Sequence, residues 1–160
     1  MPRSAKPAAW LTALALLVCG AVASGQADKT PGASLRPEDI VQRYLAALKA
    51  GDFGAAYACI SKGMAQHKDR DAWAKEQQWT MQMADAKIFD YQVYPGKVEG
   101  EKARVPNRLS SQDKFLNQFG VPEHELYTLV REDGEWKIDQ QQLLEKAEQS
   151  KWFPVPAEQK

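Results

Sequence analysis

The spacing of the apolar residues changes once along this 160-residue chain, near residue 86, and this change limits the fold more than any other feature. Before it, apolar residues recur every three or four positions, which indicates helices. After it, they alternate with polar residues, which indicates strands with one buried face. Helices followed by strands predict an α+β domain, and the length suits one domain with a sizeable core.

Three helices are predicted before the change. The first starts at Pro37, because the fixed proline φ suits a first helical turn, and it ends at Gly51. Asp52 can cap a second, short helix, since its carboxylate can accept a hydrogen bond from an amide of the first turn. Asp69 or Asp71 can cap a third helix in the same way. The first two helices carry apolar faces, so we expect them to pack on each other.

Four strands are predicted after the change. Phe89, Tyr91 and Val93 share one side of the first, and Gly100–Asn107 is the second, in which Pro106 indicates an edge position or a bulge. The third and fourth strands form a hairpin.

Asp133-Gly134 marks the turn of this hairpin, because the pair tolerates the positive φ angles of a two-residue turn. The strand Glu123–Arg131 precedes the turn, and Trp136 and Ile138 follow it. Asp139 then predicts a C-terminal helix, with Gln142 at the capping-box position.

Three segments resemble a known family. They are Pro37–Tyr57, which contains the first helix and its Gly-Asp corner, the strand Gly100–Asn107 and the hairpin Leu126–Ile138. Together they resemble the nuclear transport factor 2-like superfamily, whose fold is the cystatin-like cone. The resemblance implies N-terminal helices packed on a curved, mainly antiparallel four-stranded sheet, with a C-terminal helix. It does not define an activity, since members include isomerases, dehydratases, polyketide cyclases, transport and assembly modules and exported proteins of unknown function.

The N-terminus has the pattern of a signal peptide. Arg3 and Lys6 precede an uncharged run whose apolar centre, Trp10–Val18, is shorter than the ~20 residues of a membrane-spanning helix. Ala21-Val22-Ala23 supplies the small residues of a cleavage site, and Gly25-Gln26-Ala27 is a second candidate. We therefore expect the protein to be exported, in a periplasmic or secreted form.

Cys19 offers an alternative to soluble export. Leu16-Leu17-Val18-Cys19 resembles a bacterial lipobox, in which the cysteine is lipidated and anchors the protein in the cell envelope, although Val18 stands where that motif has a small residue. The soluble form is preferred because a small-residue cleavage site follows. The expected organisation is a signal peptide at 1–23, a flexible lead-in at 24–35, the nuclear transport factor 2-like domain at 36–153 and a tail at 154–160.

Charge and cysteine content exclude several function classes. The chain has 21 basic and 21 acidic side chains, and loss of the leader with Arg3 and Lys6 leaves a small acidic excess. Nucleic-acid binding needs clustered cations, so no nucleic-acid partner is expected. Cys59 lies in an apolar helical run, which predicts a buried, unpaired cysteine. No metal-ligand spacing or phosphate-binding loop occurs, so we expect no metal and no cofactor.

No catalytic constellation is recognisable, and we assign no catalytic residue. The isomerases of this superfamily place a carboxylate base and a Tyr-plus-acid oxyanion hole inside the cone, and the acids here match no such pair. Tyr44 and Tyr57 lie on apolar helix faces, which predicts core residues. His124, between Glu123 and Glu125, would gain proton affinity if those carboxylates contacted it.

The candidate ligand- or partner-binding residues are aromatic or apolar. They are Tyr44, Tyr57, Trp73, Phe115, Leu116 and Phe119. A non-catalytic binding or assembly module of the cell envelope is the preferred function, ahead of a pocket protein for a small apolar ligand and of an isomerase-like or cyclase-like enzyme. The partner would be an unidentified envelope protein or a small apolar ligand, and homodimerisation stays open.

The connection Ser110–Pro122 is longer than usual between neighbouring strands. Phe115, Leu116 and Phe119 are spaced to give it an apolar edge on a short helical turn. Two alternatives stay open for this edge. It plugs the open end of the cone, or it forms a lid or an exposed patch for a partner.

Overall fold

The structure, a computed structural model, describes residues 35–154. The predicted signal peptide with Cys19, nearly all of the lead-in and residues 155–160 lie outside this range. The described range contains four helices and five strands in the order α1 Pro37–Ala50, α2 Phe53–Tyr57, α3 Arg70–Ala84, β1 Lys87–Val93, β2 Lys97–Glu99, β3 Lys102–Gln112, β4 Glu123–Glu132, β5 Glu135–Leu143 and α4 Lys146–Gln149. The α+β class is confirmed.

The first three helices begin and end at the residues that favour these boundaries. Gly51 ends α1 in the left-handed region, with a φ of 72°. The Asp52 carboxylate accepts a hydrogen bond from the Ala55 amide at 2.9 Å and caps α2. Asp69 does the same for the Ala72 amide at 2.9 Å, so it is the cap of α3.

The strands form one antiparallel sheet in the order β1-β3-β4-β5, and β2 pairs with β3 beyond the end of β1. Four strands were predicted, and the additional one is β2. Its three residues are too few to show an alternating pattern. Pro106 lies in the central strand β3, opposite the gap between β1 and β2. There the Tyr94 amide donates to the Pro106 carbonyl at 2.9 Å. The missing proline N–H faces the same gap, so it interrupts no strand pairing.

A β-bulge changes which residues of β1 face the core. The pairing with β3 shifts between Ile88 and Asp90, so Phe89 is the additional residue. Ile88, Tyr91 and Val93 pack against the core, whereas Phe89 is 50% exposed. The prediction that Phe89 shares the buried side with Tyr91 and Val93 is therefore wrong.

The end of the hairpin also differs from expectation. Residues 139–143 continue β5, and residues 140–143 pair with β4, so the predicted helix start at Asp139 is wrong. Strand pairing overrides the local capping signal, and the Asp139 carboxylate instead accepts from Ser61 Oγ at 2.7 Å. The C-terminal helix is the single turn α4, Lys146–Gln149.

The core lies between α1 and the sheet face turned towards it, which we call the inner face. The helix α1 contacts β1, β3 and β5. Buried residues from both sides meet there: Val41, Tyr44, Leu45, Ala103, Val105, Tyr127, Leu129 and Ile138. The opposite, outer face is partly covered by the chain after β5, where Leu144 is buried and Phe153 contacts the rings of Tyr94 and His124. None of the helices in residues 35–154 is long and apolar enough to cross a membrane.

Candidate functional site

The residues predicted to bind a ligand or partner lie in three different places. Tyr44 is in the inner-face core. Tyr57 and Trp73 contact each other between α2 and α3, with ring centroids 5.9 Å apart, and the Tyr57 hydroxyl donates to the Lys68 carbonyl at 2.8 Å. This pair joins the two helices. Phe115, Leu116 and Phe119 lie in the loop between β3 and β4, so the structure does not bring the six residues into one site.

A buried carboxylate lies in the inner-face core, and the sequence reasoning missed it. Alternation along β4 turns Glu125 to the same face as Tyr127 and Leu129, and Glu125 is 2% exposed. The register places it opposite Asn107 of β3. The sequence does contain a signal for this burial. Glu125, Tyr127 and Leu129 are spaced two residues apart, so their side chains lie on the same face of the strand.

Three side chains donate hydrogen bonds to the Glu125 carboxylate. Asn107 Nδ2 and the Tyr127 hydroxyl donate to Oε2 at 2.8 and 3.0 Å. Gln141 Nε2 from β5 donates to Oε1 at 2.7 Å. The carboxylate thus joins three strands from inside the core, which satisfies a group that would otherwise be costly to bury.

Burial dominates the electrostatics of this cluster. It raises the pKa of Glu125, although the three donors act in the opposite direction. It also raises the pKa of Tyr127, with a further contribution from the Glu125 charge. The Tyr44 ring meets the Tyr127 ring edge-on at 6.1 Å, and burial raises the Tyr44 pKa as well. A carboxylate enclosed in this way links three strands from within the core.

His124 does not form the acid-flanked site that the sequence suggested. Strand alternation turns the Glu125 side chain inward, and Glu123 accepts a hydrogen bond from Ser111 Oγ at 3.0 Å. His124 lies on the outer face opposite Arg108. Burial and the Arg108 charge lower its pKa, so the contact on which a gain in proton affinity depended is not made.

The loop Asp113–Pro122 is held in one conformation by its own polar groups. The Asp113 carboxylate accepts from the amides of Phe115 and Leu116, each at 2.7 Å, and from the Asn117 amide at 3.1 Å. These bonds to the charged form lower the pKa of Asp113. Local carboxylate-to-amide bonds of this kind replace helix formation, and the expected helical turn is not present at Phe115–Phe119.

Asn117 fixes the two ends of this loop to each other. Its side chain is 7% exposed, and its Nδ2 donates to the carbonyls of Ser111 and Val121 at 3.1 and 2.9 Å. Its Oδ1 accepts from the Val121 amide at 2.9 Å. The backbone is therefore ordered from within, without help from the apolar side chains.

Those apolar side chains point to solvent. Phe115 is 60% exposed, Leu116 93%, Phe119 91% and Val121 61%. We call these four residues the apolar patch. Of the two alternatives for this loop, the plug is therefore wrong, because a plug would be buried. The Lys114 amide donates to the Ala84 carbonyl at 3.0 Å, which sets the loop beside the end of α3.

The described residues offer no evident place for a metal ion. Between residues 35 and 154, no three His, Cys, Asp or Glu side chains come together as a ligand set. Cys59 is buried and unpaired, and burial raises its thiol pKa. A raised pKa leaves the thiol protonated and poorly nucleophilic.

Comparison with known proteins identifies the fold. No family model and no curated protein matches the sequence. A SEC-C motif containing protein from Rhodopseudomonas palustris is 14% identical over 68% of this chain and 79% of its own, with a TM-score of 0.52. A domain of unknown function with a cystatin-like fold from Nostoc punctiforme is 14% identical over 71% of this chain and 78% of its own, with a TM-score of 0.51. An NTF2-like protein of unknown function from Cytophaga hutchinsonii is 16% identical over 69% and 89%, with a TM-score of 0.42. The chain thus has the cystatin-like fold, as the resemblance implied.

Proposed function

We propose that this cystatin-like domain of the nuclear transport factor 2-like kind is a non-catalytic binding or assembly module, exported to the cell envelope. Its binding surface is the apolar patch, and its partner is another envelope protein with an apolar contact surface. One observation carries the proposal: a loop braced by its own hydrogen bonds exposes Phe115, Leu116 and Phe119 to solvent.

An exposed patch of this kind needs a functional reason. Large apolar side chains that cluster at a surface mark contact sites for other molecules. Aromatic side chains also supply much of the binding energy in protein interfaces. A preorganised loop loses little conformational freedom on binding, so more of the contact energy appears as affinity.

The surroundings of the patch favour a protein over a lipid surface. Attraction to an anionic membrane needs a cluster of basic side chains. Here Lys114 lies next to Asp113, and Lys87 pairs with Asp85 at 3.5 Å. The helix α3, whose last residue the loop contacts, also exposes Trp79 (62%) and Met83 (48%).

The isomerase-like and cyclase-like alternative has less support. Its base would have to reach a substrate inside the cone, whereas Glu125 is 2% exposed and accepts hydrogen bonds on both oxygens. The small-ligand alternative is supported by a different part of the molecule, a pocket of about 630 Å³ on the outer face.

The test replaces Phe115 and Phe119 with Ser in the full chain. We expect the melting midpoint to stay nearly unchanged, since exposed positions contribute within about ±0.5 kcal/mol to stability. A photo-crosslinking residue at Leu116, introduced in the native host, should capture an envelope protein. Binding of that purified protein should be lost in the Phe115→Ser/Phe119→Ser variant.

The matched control is Phe89→Ser/Val98→Ser, which removes two apolar side chains that are 50% and 56% exposed elsewhere. It should keep full binding. The proposal is wrong if the patch variant binds the partner as tightly as the wild type. It is also wrong if the patch crosslinks only to a second copy of the chain, or if it binds anionic vesicles in place of protein.

A further inference from the structure

A pocket of about 630 Å³ lies on the outer face, between the sheet and the chain that follows β5. Its volume is typical of sites for small organic molecules. The residues that line it are Tyr94, Arg108, His124, Lys146, Gln149, Ser150, Phe153 and Pro154. None of these eight carries a carboxylate.

The charged groups of the pocket are both cations. Arg108 comes from β3 and Lys146 from the first residue of α4, two elements far apart in sequence. Within residues 35–154, neither side chain forms a hydrogen bond or an ion pair. Glu148, on the same short helix, lines the neighbouring depression with Lys102 and Arg104. Asp90 lines another neighbouring depression, which Arg108 also borders. The residues that line the pocket itself therefore carry two positive charges and no negative one.

Aromatic rings form another wall of the pocket. The Phe153 ring lies edge-on to Tyr94 at 5.0 Å and to His124 at 4.7 Å between centroids. These contacts hold Phe153 in place, and Pro154 extends the apolar surface. A flat apolar group can pack against such a wall, since aromatic rings favour edge-on and offset contacts.

We infer that this pocket is a binding site for a small organic carboxylate with a flat apolar body. The carboxylate would accept hydrogen bonds from Arg108 and Lys146, and the apolar body would lie against Phe153 and Tyr94. A planar guanidinium suits a carboxylate particularly well, because it can donate two parallel hydrogen bonds. This inference does not rest on the proposed function, since the apolar patch belongs to a different loop.

His124 provides a reporter within the pocket. Burial and Arg108 lower its pKa in the free protein, and Arg108 from β3 and Lys146 from α4 are the charged groups that line the pocket beside it. A bound carboxylate would favour the protonated imidazole and raise that pKa. The sequence contains only two histidines, His67 and His124, so the signals are readily assigned.

The experiment compares two probes of the same shape, 2-naphthoate and the uncharged 2-naphthamide, by calorimetry and by NMR of the imidazole signals. We expect 2-naphthoate to bind, to raise the pKa of His124 and to leave His67 unchanged. It should bind about tenfold or more tightly than 2-naphthamide, because hydrogen bonds to charged groups are the stronger ones.

The variant Arg108→Gln/Lys146→Gln should weaken 2-naphthoate binding by about tenfold or more and leave the weak 2-naphthamide binding unchanged. Both positions are exposed, so the fold should persist, which circular dichroism checks. Lys75→Gln, an exposed lysine on α3, is the matched control and should bind 2-naphthoate like the wild type. Equal affinity for the two probes, an unchanged affinity in the double variant, or no binding at millimolar 2-naphthoate would each overturn the inference.

Discussion

At the scale of single residues, two glutamates of the same strand phase on β4 differ in burial and in hydrogen-bond partners. Glu125 is buried and accepts hydrogen bonds from three donors, whereas Glu123 is half-buried and accepts from the hydroxyl of Ser111. Asn107 faces Glu125 from β3, and its Oδ1 is a buried acceptor without a hydrogen-bond partner in the described part of the chain. A carboxylate in this setting makes stability depend on pH.

The pH dependence of Glu125 has a definite sign. Burial raises its pKa in the folded state above the unfolded value of about 4.3. Below the unfolded pKa both states are protonated, and the full stability is present. As the pH rises, the unfolded state ionises first, so stability falls until the pH exceeds the folded pKa.

Glu125→Gln should therefore remove this loss. We expect the free energy of unfolding of the wild type, relative to the variant, to decrease from pH 4 upwards in denaturant titrations at several pH values. Glu148→Gln, at an exposed position on α4, is the control and should retain the wild-type profile. A Glu125→Gln variant with the same pH profile as the wild type would disprove the role of the buried carboxyl.

At the scale of elements, local signals predicted the first three helices and the hairpin but not the polar part of the sheet. The caps Asp52 and Asp69 each accept a hydrogen bond from an amide three residues later, so neighbouring residues alone are sufficient to predict them. Gln140–Gln142 look like a helix start locally, yet they pair with β4. That outcome depends on a partner strand, which no local pattern contains. For the same reason the bulge at Phe89 could not be predicted.

In the candidate site, too, local signals predicted some features and tertiary contacts determined the others. The apolar spacing of Phe115, Leu116 and Phe119 indicated the loop on which the proposed function rests. Their exposure, however, depends on Asp113 and Asn117 holding the backbone. The outer-face pocket needs Phe153, Arg108 and Lys146 to meet, and three separate segments supply them. The spacing of residues in the sequence does not predict tertiary contacts of this kind.

The hairpin turn gives a test at this scale. Asp133 and Gly134 have φ angles of 52° and 83°, as a two-residue turn between β4 and β5 requires. No atom outside residues 133–135 lies within 4 Å of the position that a Cβ of residue 134 would occupy. The cost of Gly134→Val therefore comes from the backbone conformation alone, because a β-branched residue resists a positive φ.

We expect Gly134→Val to lower the free energy of unfolding by about 1 kcal/mol or more, measured by chemical denaturation. Gly134→Asn serves as the control, since asparagine tolerates the left-handed region, and it should lose clearly less stability. If both variants unfolded at the same midpoint as the wild type, the turn would not constrain the hairpin.

At the scale of the whole molecule, the buried core and the candidate binding surfaces lie in different places. The inner-face core is filled by α1 and the Glu125 cluster, while the apolar patch and the outer-face pocket lie on two other surfaces. The proposed contacts of this domain would therefore be made at its surface. Such contacts would occur in the envelope only if the chain is exported.

Export is therefore the prediction on which the proposed setting depends. Arg3, Lys6 and the short apolar run before Ala21-Val22-Ala23 favour cleavage by a signal peptidase. Mass spectrometry of the protein from its native host should find a mature N-terminus at Ser24, or at Asp28 if the second site is used. An Ala21→Arg/Ala23→Arg change should block cleavage at the first site, since small residues are required there. A diacylated Cys19 at the N-terminus would instead establish the lipid-anchored form. An intact chain in the cytoplasm would contradict export, and with it an envelope partner for the apolar patch.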